Sequence, residues 1–231
     1  MKKDTSWGKV AGWYDKYLES DNTYHAQVVA PNLIRVVDLK SDESLLELGS
    51  EQGYFIEKFS EFSKKVTGVE IGKPLVDIAK KKFPNARFLV GNAEDQKILL
   101  GEKFDVVTII LAIQNMKDLG AVVKNLNRLV KDDGRVCIVL NHPAFRVPQK
   151  SAWGMDEEKK TQYRRVDAYM SEEEIKIDMT PGSRTNKVMT MTYHRPLQVY
   201  SKAFGKVGFA ITKIEEWISH RKSEAGPYAK A

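Results

Sequence analysis

The chain has 231 residues, of which 42% are hydrophobic and 29% charged. That is one large domain or two small ones with enough apolar material for a core, and it excludes a chain disordered throughout. The net charge is +6, and the single cysteine, Cys137, excludes an intramolecular disulfide framework.

The N-terminal MKKDTSWGKV lacks the apolar stretch of a secretion signal, so a reducing cytoplasm is the expected setting. No apolar run is long enough to span a bilayer. Residues 1–41 read as a helical cap rich in aromatics: Trp7, Trp13, Tyr14, Tyr17 and Tyr24. Pro31 should break or kink its second helix.

From Ser44 the chain alternates apolar strands with amphipathic helices. SLLELGS is a first strand, and Phe55, Phe59 and Phe62 recur at helical spacing behind it. KVTGVEI is a second strand. Pro74 then opens a helix with Leu75, Ile78 and Ala79 on one face. ARFLVGN is a third. FDVVTIILA is a fourth, apolar and β-branched as a strand buried on both faces should be. Leu119, Val122, Val123, Leu126 and Leu129 form a helical stripe, Asp132 to Gly134 a turn, and RVCIVLN a fifth strand. The alternation predicts an α/β fold: a doubly wound, mostly parallel sheet with helices on both faces.

Residues 142–196 interrupt the pattern as an insertion, expected to form a lid more mobile than the sheet. They hold a charged helical stretch from Asp156 to Arg165. A hairpin follows, from Ile175, Ile177 and Met179 across PGSRTN to Val188–His194. PLQVYSKAFGKVGF reads as a helix and FAITKIEEW as a sixth strand. The remaining 219–231 has no apolar alternation and carries Pro227, so no seventh strand is expected. The open edge beside strand five would be filled by a partner chain, or the sequence is a shortened form of a longer one.

Lys64, Lys65 and Lys80 to Lys82 alternate with Glu57, Glu61 and Asp77. A nucleic-acid footprint would be a concentrated patch, so the charge reads as a solvated surface and nucleic acid is not the expected partner. The four histidines have no zinc-ligand spacing.

Three sites carry chemistry. The turn Glu47-Leu48-Gly49-Ser50-Glu51-Gln52-Gly53 follows strand one, and its glycines permit tight turning and close approach to a ligand. It lacks the G-x-G-x-x-G of a dinucleotide fold. Two glycines alone fit a plain strand-to-helix turn equally well. Glu70, ending strand two seventeen residues after Gly53, can accept from both hydroxyls of a ribose or simply sit solvated. Asn92, after strand three, faces the same carboxyl edge, where it can take a bond from an adenine amino group or make an ordinary Asx turn. Gly-turn and acid in adjacent βα units are more specific together than apart.

In these motifs the chain resembles the class I S-adenosylmethionine-dependent methyltransferases, in the small-molecule group that includes ubiquinone- and menaquinone-biosynthesis enzymes. LLELGSEQGYF is similar to the family's acid-x-G-x-G-x-G motif. GVEIGKPLVDIAKKKFP is similar to its ribose-acid motif, and GNAEDQKI to its third. The segment from Lys103 to Leu140 resembles its fourth-to-fifth-strand block, so the match covers residues 42–141 in the family's order. Three departures stand out: Glu51 replaces the middle glycine, Asn92 a common Asp, and Gln114-Asn115 a frequent His-His.

The resemblance implies one Rossmann-like methyltransferase domain, with a core over 42–141, a lid over 142–196 and a last helix and strand over 197–218. It implies S-adenosylmethionine as cofactor, with S-adenosylhomocysteine as product. Glu47 then orders the loop and reaches the cofactor amino group through water, while Gly49, Ser50 and Gly53 line the methionine and ribose. Glu70 holds the ribose hydroxyls and Ile71 packs on the adenine. Asn92 and the Ala93 backbone read the adenine edge, and the backbone near Leu111 accepts from the ammonium. Tyr14 is similar to a tyrosine that covers the methionine carboxylate. Its alternative is a core or cap aromatic.

In-line methyl transfer needs orientation and a dry site more than a dedicated acid or base. His142, directly after strand five, is the candidate base, with a structural hydrogen-bonding role as the alternative; Asp15 and Tyr193 are weaker candidates. Phe145, Trp153, Arg164, Arg165 and Tyr169 would face a flat or anionic small-molecule acceptor, or pack the lid and face water. The protein would act as a monomer or homodimer. The competing functions are an RNA-directed methyltransferase, a non-catalytic cofactor- or RNA-binding protein, and a nicotinamide-dependent short-chain dehydrogenase. The last would need a Tyr-x-x-x-Lys pair on a later helix, and here only Tyr54 and Lys58 match.

Overall fold

The computed structural model describes residues 12, 20–145, 150–180 and 187–220. Trp7, Trp13, Tyr14, Asp15 and Tyr17 lie outside them, as does the hairpin turn 181–186.

Five strands form one parallel sheet: β1 (Ser44–Leu48), β2 (Lys65–Glu70), β3 (Arg87–Val90), β4 (Phe104–Ile110) and β5 (Val130–Val139). Their order is β3-β2-β1-β4-β5. The chain therefore reverses direction across the sheet between β1 and β4, and in open α/β sheets a crevice forms at that switch. β1, β2 and β4 are buried almost throughout, which their continuous apolar runs require.

Side-chain alternation divides the core. Leu45, Val66, Val106 and Ile110 face a layer built by α1 (Ala30–Val37), α2 (Tyr54–Ser60) and α3 (Lys73–Lys82). Leu46, Leu48, Val107 and Ile109 face α4 (Leu119–Leu129) and α5 (Leu197–Gly205). The sheet is doubly wound, as the sequence alternation requires.

Local details follow from residue chemistry. Pro31 sits in the first turn of α1, where a missing N–H costs nothing, and the backbone before it, His25–Val29, widens into a π-helical turn. The expected break is thus a change of helical winding. The expected turn Asp132–Gly134 lies inside β5 as a register shift: Val130 pairs with Phe104, but Arg135 pairs with Val106. A Cβ on Gly134 would lie 2.7 Å from the Asp105 carbonyl oxygen, so the bulge needs glycine there.

Two expectations are overturned. Asp156 to Arg165 is not helical. Residues 151–166 form a hairpin of β6 (Ser151–Asp156) and β7 (Thr161–Val166), pairing Trp153 with Arg164 and Gly154 with Tyr163. The charged DEEKK run is its turn, where Asp156 Oδ1 accepts from the Lys159 amide at 3.0 Å and Lys160 takes φ +51°. FAITKIEEW is not a strand either. Its odd positions run Phe-Ile-Lys-Glu-Trp and its even ones Ala-Thr-Ile-Glu, so neither face of a period-two strand would be apolar. Individual side chains hold the segment instead: Glu215 pairs with Arg35 at 2.5 Å, and Trp217 packs on the core. Among the described residues the sheet therefore has five strands, not six. The second expected hairpin is present, as β8 (Glu173–Asp178) and β9 (Met189–His194). No helix among the described residues is long and apolar enough to cross a membrane.

Candidate functional site

The carboxyl ends of β1 and β4 frame the crevice. After β1 the chain turns through Gly49 at φ +81°, Glu51 at φ +50° and Gly53 at φ +88°. A Cβ on Gly49 would lie 2.7 Å from Ala112 Cβ, so only glycine lets this turn approach the loop after β4. Glu51, which departs from the family's glycine, still adopts the left-handed conformation. Its amide donates to Glu70 Oε2 at 3.2 Å.

Glu70 ends β2 and is buried. Its Oε1 accepts from the Gly72 amide at 2.7 Å, so the carboxylate braces both the glycine turn and the start of α3. Burial raises its pKa, and the amide donors of Gly72, Glu51 and Ile71 oppose the shift. Each oxygen keeps acceptor capacity beyond these bonds.

Glu47, in β1, is 1% exposed, and its Oε2 has no hydrogen-bond partner. Burial pushes its carboxyl well above the ordinary range, and the nearby carboxylates Glu51 and Glu70 push the same way. Ser50 Oγ and both amide atoms of Gln52 are also buried without partners.

After β3, Asn92 Oδ1 accepts from the Glu94 amide at 2.9 Å, an Asx turn. The Ala93 carbonyl accepts from Asn125 Nδ2 at 2.7 Å. Asn125, on α4, also reaches the Asp95 carbonyl at 3.0 Å and so fixes this loop. Sequence reasoning missed it, although an Asn beside the apolar stripe of α4 is the kind of buried polar residue that must find partners. Glu94 Oε1 accepts from the Lys117 amide at 2.6 Å, tying this loop to the one after β4. There Leu111 takes φ +52°, its amide donates to the Val139 carbonyl at 2.7 Å, and its carbonyl accepts from Gln114 Nε2.

The structure thus brings Glu47, Gly49, Ser50, Gly53, Glu70, Ile71, Asn92, Ala93 and Leu111 to one edge of the sheet, on loops that bond to one another. Tyr14 lies outside the described residues.

His142 follows β5. Its Nδ1 accepts from the Ala144 amide at 3.2 Å, and its Nε2 lies 2.8 Å from Glu216 Oε1. Both ring nitrogens are engaged, the pattern of a structural histidine. Arg164 lies 5.2 Å from the Trp153 ring and donates to the Phe145 carbonyl at 3.0 Å and to Ser151 Oγ at 2.7 Å. Arg165 points elsewhere and pairs with Asp167 at 3.0 Å. The Tyr169 hydroxyl accepts from the Leu197 amide at 3.2 Å, which places it at the start of α5. The expected acceptor residues therefore divide: Phe145, Trp153 and Arg164 are together, whereas Arg165 and Tyr169 make separate contacts.

Arg195 is a second residue that sequence reasoning missed. It directly follows β9, is 6% exposed, and donates through Nη2 to the carbonyls of Met116 at 2.9 Å and Lys117 at 2.7 Å. It fastens the β8–β9 hairpin to the loop after β4, and Thr192 Oγ1 adds a bond to the Gln114 carbonyl at 3.3 Å.

The residues present fit an S-adenosylmethionine site. A glycine turn permits close approach, an acid ends β2, and an unpaired buried carboxyl lies where a positive charge would compensate it. The parallel sheet with its switch-point crevice has the architecture of the class I S-adenosylmethionine-dependent methyltransferases. A crystal structure of such an enzyme from Mesorhizobium loti superimposes with a TM-score of 0.70 at 18% identity, covering 84% of this chain and 85% of that one. Residues 46–138 match the methyltransferase-domain family. The uncharacterized methyltransferase YcgJ of Bacillus subtilis is 27% identical over 112 residues, 46% of this chain and 44% of that protein. A demethylmenaquinone methyltransferase of Lactococcus lactis is 37% identical over 91 residues, 37% of this chain and 36% of that protein. The chain thus spans less than half the length of these two relatives.

Proposed function

We propose that the protein transfers a methyl group from S-adenosylmethionine to a small-molecule nucleophile. The observation that carries this reading is the two buried carboxyl groups, of Glu47 and Glu70, beside a positive-φ glycine turn at the β1–β4 switch point. The cofactor supplies an activated methyl and a neutral thioether leaving group. Glu70 holds the ribose hydroxyls with the lone pairs its amide donors leave, and Ile71 packs on the adenine. Asn92 and the Ala93 amide read the adenine edge. Gly49, Ser50 and Gly53 leave room for the methionine chain, and the Leu111 carbonyl accepts from its ammonium. Tyr14 covers the carboxylate.

The acceptor site lies under the β6–β9 hairpins, with Phe145, Trp153 and Arg164 offering an aromatic face and a cation. Quinol-like and other flat acceptors suit that surface, and the Lactococcus relative's name supports that class. If the nucleophile arrives protonated, His142 is the candidate base through the Nδ1 lone pair, once the Ala144 amide releases it, while Nε2–H stays on Glu216.

Calorimetric titration with S-adenosylmethionine tests the reading. Saturable binding is expected, and Glu70→Ala should weaken it by about 1 kcal/mol or more, the scale of lost hydrogen bonds. Saturable binding of NADH with no adenosylmethionine signal would overturn it.

A further inference from the structure

Four buried polar atoms near the glycine turn have no partner: Glu47 Oε2, Ser50 Oγ, Gln52 Oε1 and Gln52 Nε2. Buried polar groups are rarely left unpaired, and several in one turn mark a place that another molecule completes. Glu47 is the one of these residues that carries an acid.

Its surroundings decide its state. In register, Glu47 lies between Gly68 of β2 and Thr108 of β4, neither titratable. On its face of the sheet, α1 and α2 present Leu33, Val37, Phe55 and Ile56. His25, packed on Tyr54 and Phe55, is kept neutral at neutral pH, because burial lowers its pKa to about 4. Among the described residues, the charged groups whose fields reach Glu47 are Glu51 and Glu70, both acids. Glu70 has backbone amides to stabilise its ionised form. Glu47 Oε2 has none, and no lysine or arginine among the described residues offsets it. Two further carboxylates beside a buried, donorless carboxyl favour its neutral form.

We propose that Glu47 is uncharged in the free protein and becomes the buried counter-ion of a cationic ligand, losing its proton as the ligand enters. The O–H bond breaks, the proton passes to a solvent base, and the carboxylate left behind pairs with the incoming ammonium or sulfonium. The inference rests on reading this crevice as the S-adenosylmethionine site. It makes Glu47 a residue that selects for ligand charge: a neutral adenosine gains nothing from it.

The test is calorimetric titration of the full chain at mildly acid pH, in two buffers of different ionisation enthalpy. The probes are S-adenosylmethionine, S-adenosylhomocysteine and adenosine. About one proton should be released per adenosylmethionine bound, and none with adenosine. Release with both cofactor forms assigns the ammonium to Glu47; release with adenosylmethionine alone assigns the sulfonium. Glu47→Gln should abolish the buffer dependence and weaken binding about tenfold. An infrared band of a protonated buried carboxyl, present in the free wild-type protein and lost on binding, is the readout that needs no variant. Binding with buffer-independent heat, or the same release from Glu47→Gln, overturns the inference alone. No binding of adenosylmethionine overturns the cofactor reading and this inference with it.

Discussion

The five-stranded sheet and the two hairpins after it are made differently. β1, β2 and β4 bury nearly every residue, and a buried bond from Asn125 to Ala93 ties the loop after β3 to α4. β6 and β7 leave much of their surface open, with Trp153 62% exposed. Exposed charges such as Lys117 with Glu174, 3.1 Å apart, help to hold β8 to the body. Substitutions at the sheet edge should therefore be read in stability, whereas the β6–β7 hairpin can change side chains at little cost. Under the proposed function, this separates an invariant cofactor chemistry from an adjustable acceptor surface.

The sharpest way to break that contrast is the same substitution on both sides. Gly49→Ala places a Cβ 2.7 Å from Ala112 Cβ on backbone at φ +81°. We expect a loss of about 4 kcal/mol, from strain plus overpacking. Gly154→Ala also meets a neighbour, the ring of Tyr163 across the hairpin, but that ring is half exposed and can swing away. The expected cost is less than about 1 kcal/mol. Equal losses in urea denaturation would show that the hairpin is as tightly packed as the sheet.

The next effect belongs to the sheet side alone. His25 is buried against Tyr54 and Phe55, and burial lowers its pKa from 6.5 to about 4. Between those values the unfolded chain takes a proton that the native chain does not. Stability should therefore fall as the pH drops from about 6.5 to about 4, by roughly 3 kcal/mol at most. Denaturation midpoints across that window check this, and His25→Phe should flatten the decline. An unchanged slope in the variant would assign the acid sensitivity to other groups.

Arg195 joins the two regions. Replacing it with Met removes the bonds to the Met116 and Lys117 carbonyls and should cost about 2 kcal/mol. Hydrogen exchange should then speed up in β8 and β9 while β1 and β4 stay protected. Simultaneous loss of protection everywhere would make the hairpin and sheet one cooperative unit.

What was legible in the sequence follows the same division. β1, β2 and β4 were readable because strands buried on both faces must be apolar without interruption, β3 and β5 from their place in the alternation, and the glycine turn because close approach at φ near +80° demands glycine. The β6–β7 hairpin was misread as a helix, since an exposed charged segment such as DEEKK is compatible with either structure and no buried face decides. FAITKIEEW failed as a strand for a related reason: Phe209 and Trp217 share a face with Lys213 and Glu215 between them, and Ile214 falls on the other face. Gln52 and Arg195 could not be found at all, because their importance lies in which backbone atoms or cavities the fold brings to them. The state of Glu47 was hidden likewise: the motif shows an acid, but only the fold shows it buried with no cation beside it among the described residues.

The smallest expected effect tests the hairpin side by itself. Arg164 lies 5.2 Å from the ring of Trp153 and is held by the Phe145 carbonyl and Ser151 Oγ. Trp153 is largely exposed and Arg164 half-buried, and at such an exposed site a cation–π contact is worth about 0.5–1 kcal/mol. Trp153→Ala, Arg164→Ala and the double variant form a cycle whose coupling energy should fall in that range. Affinity for S-adenosylmethionine should be unchanged in all three, because the bonds and ring contact of this pair run within the hairpin and to Phe145. A destabilisation above about 2 kcal/mol, or a cofactor affinity that falls with it, would place the hairpin inside the core unit. A small coupling with intact cofactor binding leaves Trp153 and Arg164 as a surface free to be shaped by the acceptor.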